Sequence, residues 1–351
     1  MVGVEPASMT AVFSRAAADR TAETWGEQLA PFDHLEFAVS DAAKGIAAAV
    51  AQVAEGRRGS TSAPALGHGL DVFHTAKEAH TVLARQWRQA ESAWVEAEAA
   101  DAKVDRAQER GIDARGPAGP ARAAWRKATA ALERVEHLEK AWRRARAALE
   151  LFRLDGRLND RASASAEIAA AVAGLPGPEW KTVRNFLLDR RSLAFLDRMH
   201  QRLATAEPRP EWREAMAWRW WLRHRRPAAT ANPSTALVHA VARQRPLSGP
   251  EQASYDRVAA VLNSTVRASS AVECMNSVLR MQQSRHRRMT QPMLDLKRMY
   301  WNCHAFRSGP RKDVSPYQAL GLDLPTFDFW TLLQTGPGEL TQRLSTTRSA
   351  E

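Results

Sequence analysis

Glu273 opens the polar face of a predicted helix. In RASSAVECMNSVLRMQQSRHRRMTQPMLDLKRMYWNCHAF (267–306), Glu273, Asn276, Ser277 and Arg280 fall at i, i+3, i+4 and i+7. A helix therefore brings an acid, an amide and a guanidinium to one side, with Val272, Met275 and Leu279 opposite. Two chemistries fit. Ser270-Ala-Val-Glu273 matches the S-x-x-E capping box, in which both side chains satisfy orphan backbone donors. Alternatively, Glu273 is a catalytic carboxylate placed against a basic surface. Arg280, Arg285, Arg287, Arg288, Lys297 and Arg298 supply that surface, and such cations hold a nucleic-acid backbone by its phosphates. HLEFAVSD (34–41), a mostly apolar run that ends in Asp41, predicts a strand. Asp71 and His74 fall in LDVFH (70–74), a further predicted strand; a histidine capping the next helix is the alternative there. Cys303 and His304 are adjacent on a helix and point apart, which predicts packing.

The elements that must position these residues change character along the chain. Residues 2–5 and 9–13 predict short strands around Pro6, and 21–29 a helix capped by Thr21 or Thr24. After the strand at 34–41, residues 42–56 predict a helix closing at Gly56. Strands alternate with helices to about residue 75, as in an α/β sheet. Leu83, Trp87, Ala90 and Trp94 then keep helical spacing, and GIDARGPAGP (111–120) breaks it. Trp125, Leu132, Leu138, Trp142, Leu149 and Phe152 resume it, which predicts a long antiparallel hairpin. EWREAMAWRWWLRHRR (211–226) interleaves Trp with Arg, as nucleic-acid stacking would want and as a Trp-lined core with a basic outer face would also want. Helices return at 270–284 and 291–306, the latter capped by Thr290, and 338–351 read as a frayed tail.

Composition bounds the partners. The 351 residues include 50 Lys+Arg against 39 Asp+Glu, a formal net charge of +11. That balance points to an anionic partner such as nucleic acid. Two cysteines make no disulfide framework and lack metal-site spacing, and no apolar run is long enough to span a membrane. The N-terminus has no signal-peptide pattern, so the expected location is cytoplasmic and nucleoid-associated.

Three blocks carry a resemblance: LEFAVSDAAKGI (35–46), GLDVFHTAKEA (69–79), and RASSAVECMNSVLRMQQSRHRRMTQPMLDLKRMYWNCHAFRSGPRKDVSPYQALGL (267–322). In these the chain resembles bacterial insertion-sequence transposases of the DDE type, whose fold is RNase H-like. The resemblance implies that Asp41 and Glu273 are catalytic, metal-holding carboxylates. It implies Mg²⁺ or Mn²⁺ as cofactor, two ions about 4 Å apart serving an in-line phosphodiester displacement. It implies double-stranded DNA as partner, and a homodimer. The expected fold is mixed α/β and mostly helical: an incomplete RNase H-like sheet interrupted by a large all-α insertion. Residues 1–80 and 263–322 form the two parts of the catalytic domain, 81–262 the insertion with its hairpin at 81–155, and 323–351 a tail. One departure stands out. The family's first Asp lies on a strand upstream of residues 2–5, and no Asp precedes Asp19; Glu5 is the only earlier acid, in a turn-like context before Pro6. The expectation is a chain that starts inside the sheet, lacks one carboxylate and is inactive by itself. Two other readings stay open: a non-catalytic DNA-binding protein using 280–298 and 211–226, and a helical scaffold that self-associates through its hairpin.

Overall fold

The structure, a computed structural model, describes residues 1–58, 63–224, 245–283, 289–309 and 311–348. They divide into two compact units. One is discontinuous, Met1–His68 together with Ala268–Glu351, and the other is Gly69–Arg267. Helix dominates, and among the described residues the strands form two two-stranded sheets.

The first unit begins with the antiparallel pair β1 (Val2–Glu5) and β2 (Thr10–Ser14). Val2 faces Ser14 and Glu5 faces Thr10, with a bulge between Gly3 and Val4. Gly3 is needed because a Cβ there would lie 2.3 Å from the Phe13 ring. Phe13 in turn meets Trp25 and Phe32 at centroid distances of 6.4 and 6.2 Å. Glu5 closes the connecting turn by accepting from Ala7 N at 2.8 Å and Ser8 N at 2.7 Å. Burial would raise its pKa, but the hydrogen bonds from Ser8 and Ala7 outweigh it and hold the carboxyl below its ordinary range. Helix α1 (Ala22–Leu29) is capped by Thr21, whose side chain accepts from Thr24 N. Asp19 is spent on the same corner, accepting from Thr21 N and from both threonine hydroxyls. β3 (Phe37–Ser40), α2 (Lys44–Gly56) and β4 (Gly67–Leu70) follow as strand, helix and strand, with β3 paired to β4. Leu29, Ala49, Val50 and Leu66 form the core beneath α1 and α2.

The second unit opens with the last two residues of β4 and continues into α3 (Val72–Glu109), so the strand expected at 70–74 ends at Leu70. The reason is Asp71: its carboxylate accepts from Phe73 N at 2.8 Å and starts a helix where a strand would have run on. α4 (Arg115–Ala148) returns antiparallel to α3. It begins inside the stretch 111–120 expected to break the pattern. Pro117 falls in its first turn, where no N–H is required, whereas Pro120 lies inside the helix and removes one of its hydrogen bonds. Towards its tip the hairpin core is alanine, with Ala93, Ala97 and Ala128 buried, so the helix backbones approach closely. Trp94 meets Trp125 edge to face at 5.0 Å, and Lys127 pairs with Glu96 at 2.7 Å. Helices α5 (Arg161–Ala173), α6 (Lys181–Leu188), α7 (Ala194–Ala206), α8 (Pro210–His224) and α9 (Gly249–Asn263) complete the unit. With the base of the hairpin they enclose a core that includes the fully buried Trp180. Glu207, between α7 and α8, is also fully buried. It is held by Arg209 at 2.7 Å, Ser254 at 2.6 Å and Arg257 at 2.5 Å, which ties the α7–α8 corner to α9.

The chain returns to the first unit with α10 (Ser270–Gln283), α11 (Gln291–Cys303), α12 (Pro316–Ala319), α13 (Phe329–Gln334) and α14 (Pro337–Arg348). Met275, Leu279 and Leu294 pack with Ala11. Side chains of α11 also seal the outer edge of β2. Asn302, 1% exposed, accepts from Ala11 N at 2.8 Å and donates to Ala11 O at 3.1 Å. Arg298 donates to Val12 O and Trp301 to Met9 O. Thr290 is the N-cap of α11, but its hydroxyl makes no capping bond. The tail expected to fray forms α14, because Leu340 packs on the cluster of Cys303, Phe329 and Leu332.

Candidate active site

Glu273 lies in the first turn of α10 and is half-buried. The helix turns as its sequence pattern demands: Met275 is 1% exposed and Leu279 7%, which leaves Glu273, Asn276, Ser277 and Arg280 on the more open side. Ser277 folds its hydroxyl back onto Cys274 O at 2.7 Å, and Arg280 is exposed. Ser270 and Glu273 make no reciprocal capping bonds, and among the described residues the Glu273 carboxylate has neither a hydrogen-bond nor an ion-pair partner. Capping therefore does not account for this acid.

Asp41 directly follows β3 and is exposed. Its carboxylate accepts one long hydrogen bond from Ala43 N, at 3.3 Å, just ahead of α2. Ser40 is buried beside it, its hydroxyl 2.8 Å from His68 Nε2 on β4. His68 is the nearby ionisable group that sequence reasoning missed. Its only signal was a place in β4, the strand paired with the one that ends before Asp41.

Asp41 and Glu273 thus belong to one compact unit although 69–267 separates them in the chain. Asp71 and His74 belong to the other unit. Asp71 is fully buried and holds His74 Nδ1 at 2.5 Å while capping α3, so the carboxylate is committed to fold and the imidazole is pinned by it. Among the described residues no three His, Cys, Asp or Glu side chains gather into a group that could hold a metal ion. Asp41 and Glu273 alone would offer a pair of Mg²⁺ ions two carboxylates, the other oxygens falling to water and substrate phosphate.

The basic run divides. Lys297 is free of ion pairs and hydrogen bonds among the described residues, and Arg280 is open to a ligand. Arg298 donates to Val12 O at 3.1 Å and lies 3.7 Å from Asp295, so it serves the fold. Arg285, Arg287 and Arg288 lie outside the described residues. In the Trp/Arg segment packing takes most of the rings. Trp220 stacks on Phe152 at 5.6 Å and on His224 at 4.1 Å, and Arg219 is buried at 6% exposure. Trp212 carries Arg209 over its face at 3.9 Å, and Trp218 remains 40% exposed. Arg225 and Arg226 lie outside the described residues.

Among the described residues no helix is long and apolar enough to cross a membrane. No protein-family model, no curated protein and no solved structure matches this chain.

Proposed function

We propose that this chain is a DNA-binding relative of the DDE transposases in which Asp41 and Glu273 are two carboxylates of a phosphodiester-transfer site. The observation that carries the reading is the discontinuous unit. An acid that follows a strand and an unpartnered acid in the first turn of a helix fold into one body, with the other unit, residues 69–267, between them in the chain. Duplex DNA binds through the basic residues of 280–298 other than Arg298, and phosphate contact makes that binding salt-dependent. No strand cleavage by residues 1–351 is expected with Mg²⁺ or Mn²⁺, since two carboxylates alone hold the ion pair poorly.

The test has two arms. A bifunctional thiol reagent with a reach of about 8 Å, twice the usual ion spacing, should join Asp41→Cys to Glu273→Cys in a background free of Cys274 and Cys303. Failure to cross-link would separate the two acids and end the catalytic reading. In the second arm, affinity for duplex DNA is measured against salt. The slope should fall by about two when Arg287 and Arg288 both become Ala, one unit per lost phosphate contact. Metal-dependent nicking by the unaltered chain, abolished in Glu273→Ala, would show that another residue completes the site.

A further inference from the structure

A groove of about 380 Å³ opens between α10, α11 and α13 in the first unit. That volume lies in the range of clefts that bind small ligands, about 300–1,000 Å³. Its floor includes Met275 and Leu279, on the apolar side of the Glu273 helix. Its walls are aromatic: Tyr300, stacked on one face by His304 at 5.6 Å, is 49% exposed and Trp330 66%. Phe329, buried between them, braces both edge-on, at 5.2 Å from Tyr300 and 4.9 Å from Trp330. Lys297 stands on the lining with no partner among the described residues. The acids that flank the lining in sequence are committed elsewhere: Asp295 accepts from Gln291 Nε2 at 3.0 Å and lies 3.7 Å from Arg298, and Asp328 turns its carboxylate into α13 to accept from Thr331 N and Oγ1, each at 2.8 Å. The groove therefore offers ring walls, an apolar floor and an uncompensated cation on a chain of net charge +11.

We propose that this groove takes an unpaired nucleobase of a DNA strand. Tyr300 and Trp330 stack on the base, and Lys297 meets the neighbouring phosphate. The inference rests on the DNA-binding part of the proposed function and adds a ligand to it. A flat ring matches aromatic walls, and the strand's negative charge matches the unpaired ammonium. An apolar peptide would match the floor but leave Lys297 desolvated without a counter-charge.

The experiment uses the full chain and two fluorescent strands of about 15 nucleotides, oligothymidine and an abasic strand of equal length, read by anisotropy. The oligothymidine should bind more tightly. Trp330→Ala and Tyr300→Ala should each weaken it by roughly 5- to 100-fold and leave the abasic strand unchanged, since only the base is lost. Trp330→Phe should retain most of the affinity, and Lys297→Ala should weaken both strands alike. Circular dichroism melting establishes that each variant is folded. Equal losses on both strands, or none, overturn the groove as a base site. If Trp330→Ala instead dissociates a dimer in light scattering and leaves strand binding intact, the groove is a protein interface and the proposal falls. The two readings fail separately. Salt-dependent duplex binding with a silent Trp330→Ala refutes the groove alone, and base discrimination with salt-independent duplex binding refutes the phosphate-contact reading alone.

Discussion

Asn302→Ala should open the outer edge of β2. The wild-type amide makes two hydrogen bonds to one residue, accepting from Ala11 N and donating to Ala11 O. Both partners are buried: Ala11 is 2% exposed and Asn302 1%. Removing the amide leaves a backbone donor and acceptor without a partner and without water. Each such group costs about 1–3 kcal/mol, so the pair costs about 2–6 kcal/mol, with about 3 kcal/mol as the working value. That is a large share of a total stability of about 5–15 kcal/mol. The two units need not unfold together, so a global melt is the wrong readout. Amide exchange followed by mass spectrometry reads the strand itself. Protection across Thr10–Ser14 should fall by roughly 100-fold, the equivalent of about 3 kcal/mol in the opening equilibrium, while α3 and α4 are unaffected. A loss under about fivefold in Asn302→Ala would refute the reasoning, because it would mean that solvent or a shifted strand replaces the amide at little cost.

Three further outcomes are expected. Glu207 has its pKa depressed by the hydrogen bonds from Arg209 and Ser254. Its stabilising effect is therefore complete above the ordinary glutamate value of about 4.3 and is lost as pH falls towards the lower folded value. Acid unfolding of the second unit should consequently move to higher pH in Glu207→Gln, by tryptophan fluorescence; an unchanged acid midpoint would remove Glu207 from the account. A thiol reagent at neutral pH should label one cysteine per chain, because Cys274 is exposed whereas burial, with Asp328 nearby, pushes the Cys303 thiol up to about 11; peptide mapping that finds Cys303 modified first would contradict this. Ala128→Leu should overpack the hairpin, where Ala93, Ala97 and Ala128 allow close approach, at a cost of about 1–3 kcal/mol by urea unfolding. Neutral behaviour would show that the tip can splay freely.

Local patterns in the chain carried much of the fold. Alternation around Pro6 specified the β1–β2 pair, Thr21 marked the start of α1, and helical spacing of Trp and Leu specified the hairpin. The polar and apolar faces of α10 were equally legible, because a helix sorts its side chains by a fixed period wherever it lies. Where local chemistry competed, the reading missed. Asp71 turned a β-like run into a helix start, and α14 formed in a segment that looked frayed because Leu340 found a cluster contributed by α11 and α13. Only tertiary structure could decide the fate of the candidate site residues. Asp41 and Glu273 are joined in one unit by the way the chain folds back after 69–267, and no local pattern encodes that return. The basic run shows the same limit. Sequence counts Lys297 and Arg298 as equal cations, but adjacent residues on a helix point about 100° apart. One therefore faces the aromatic groove with its charge free, and the other spends its charge on the backbone of β2.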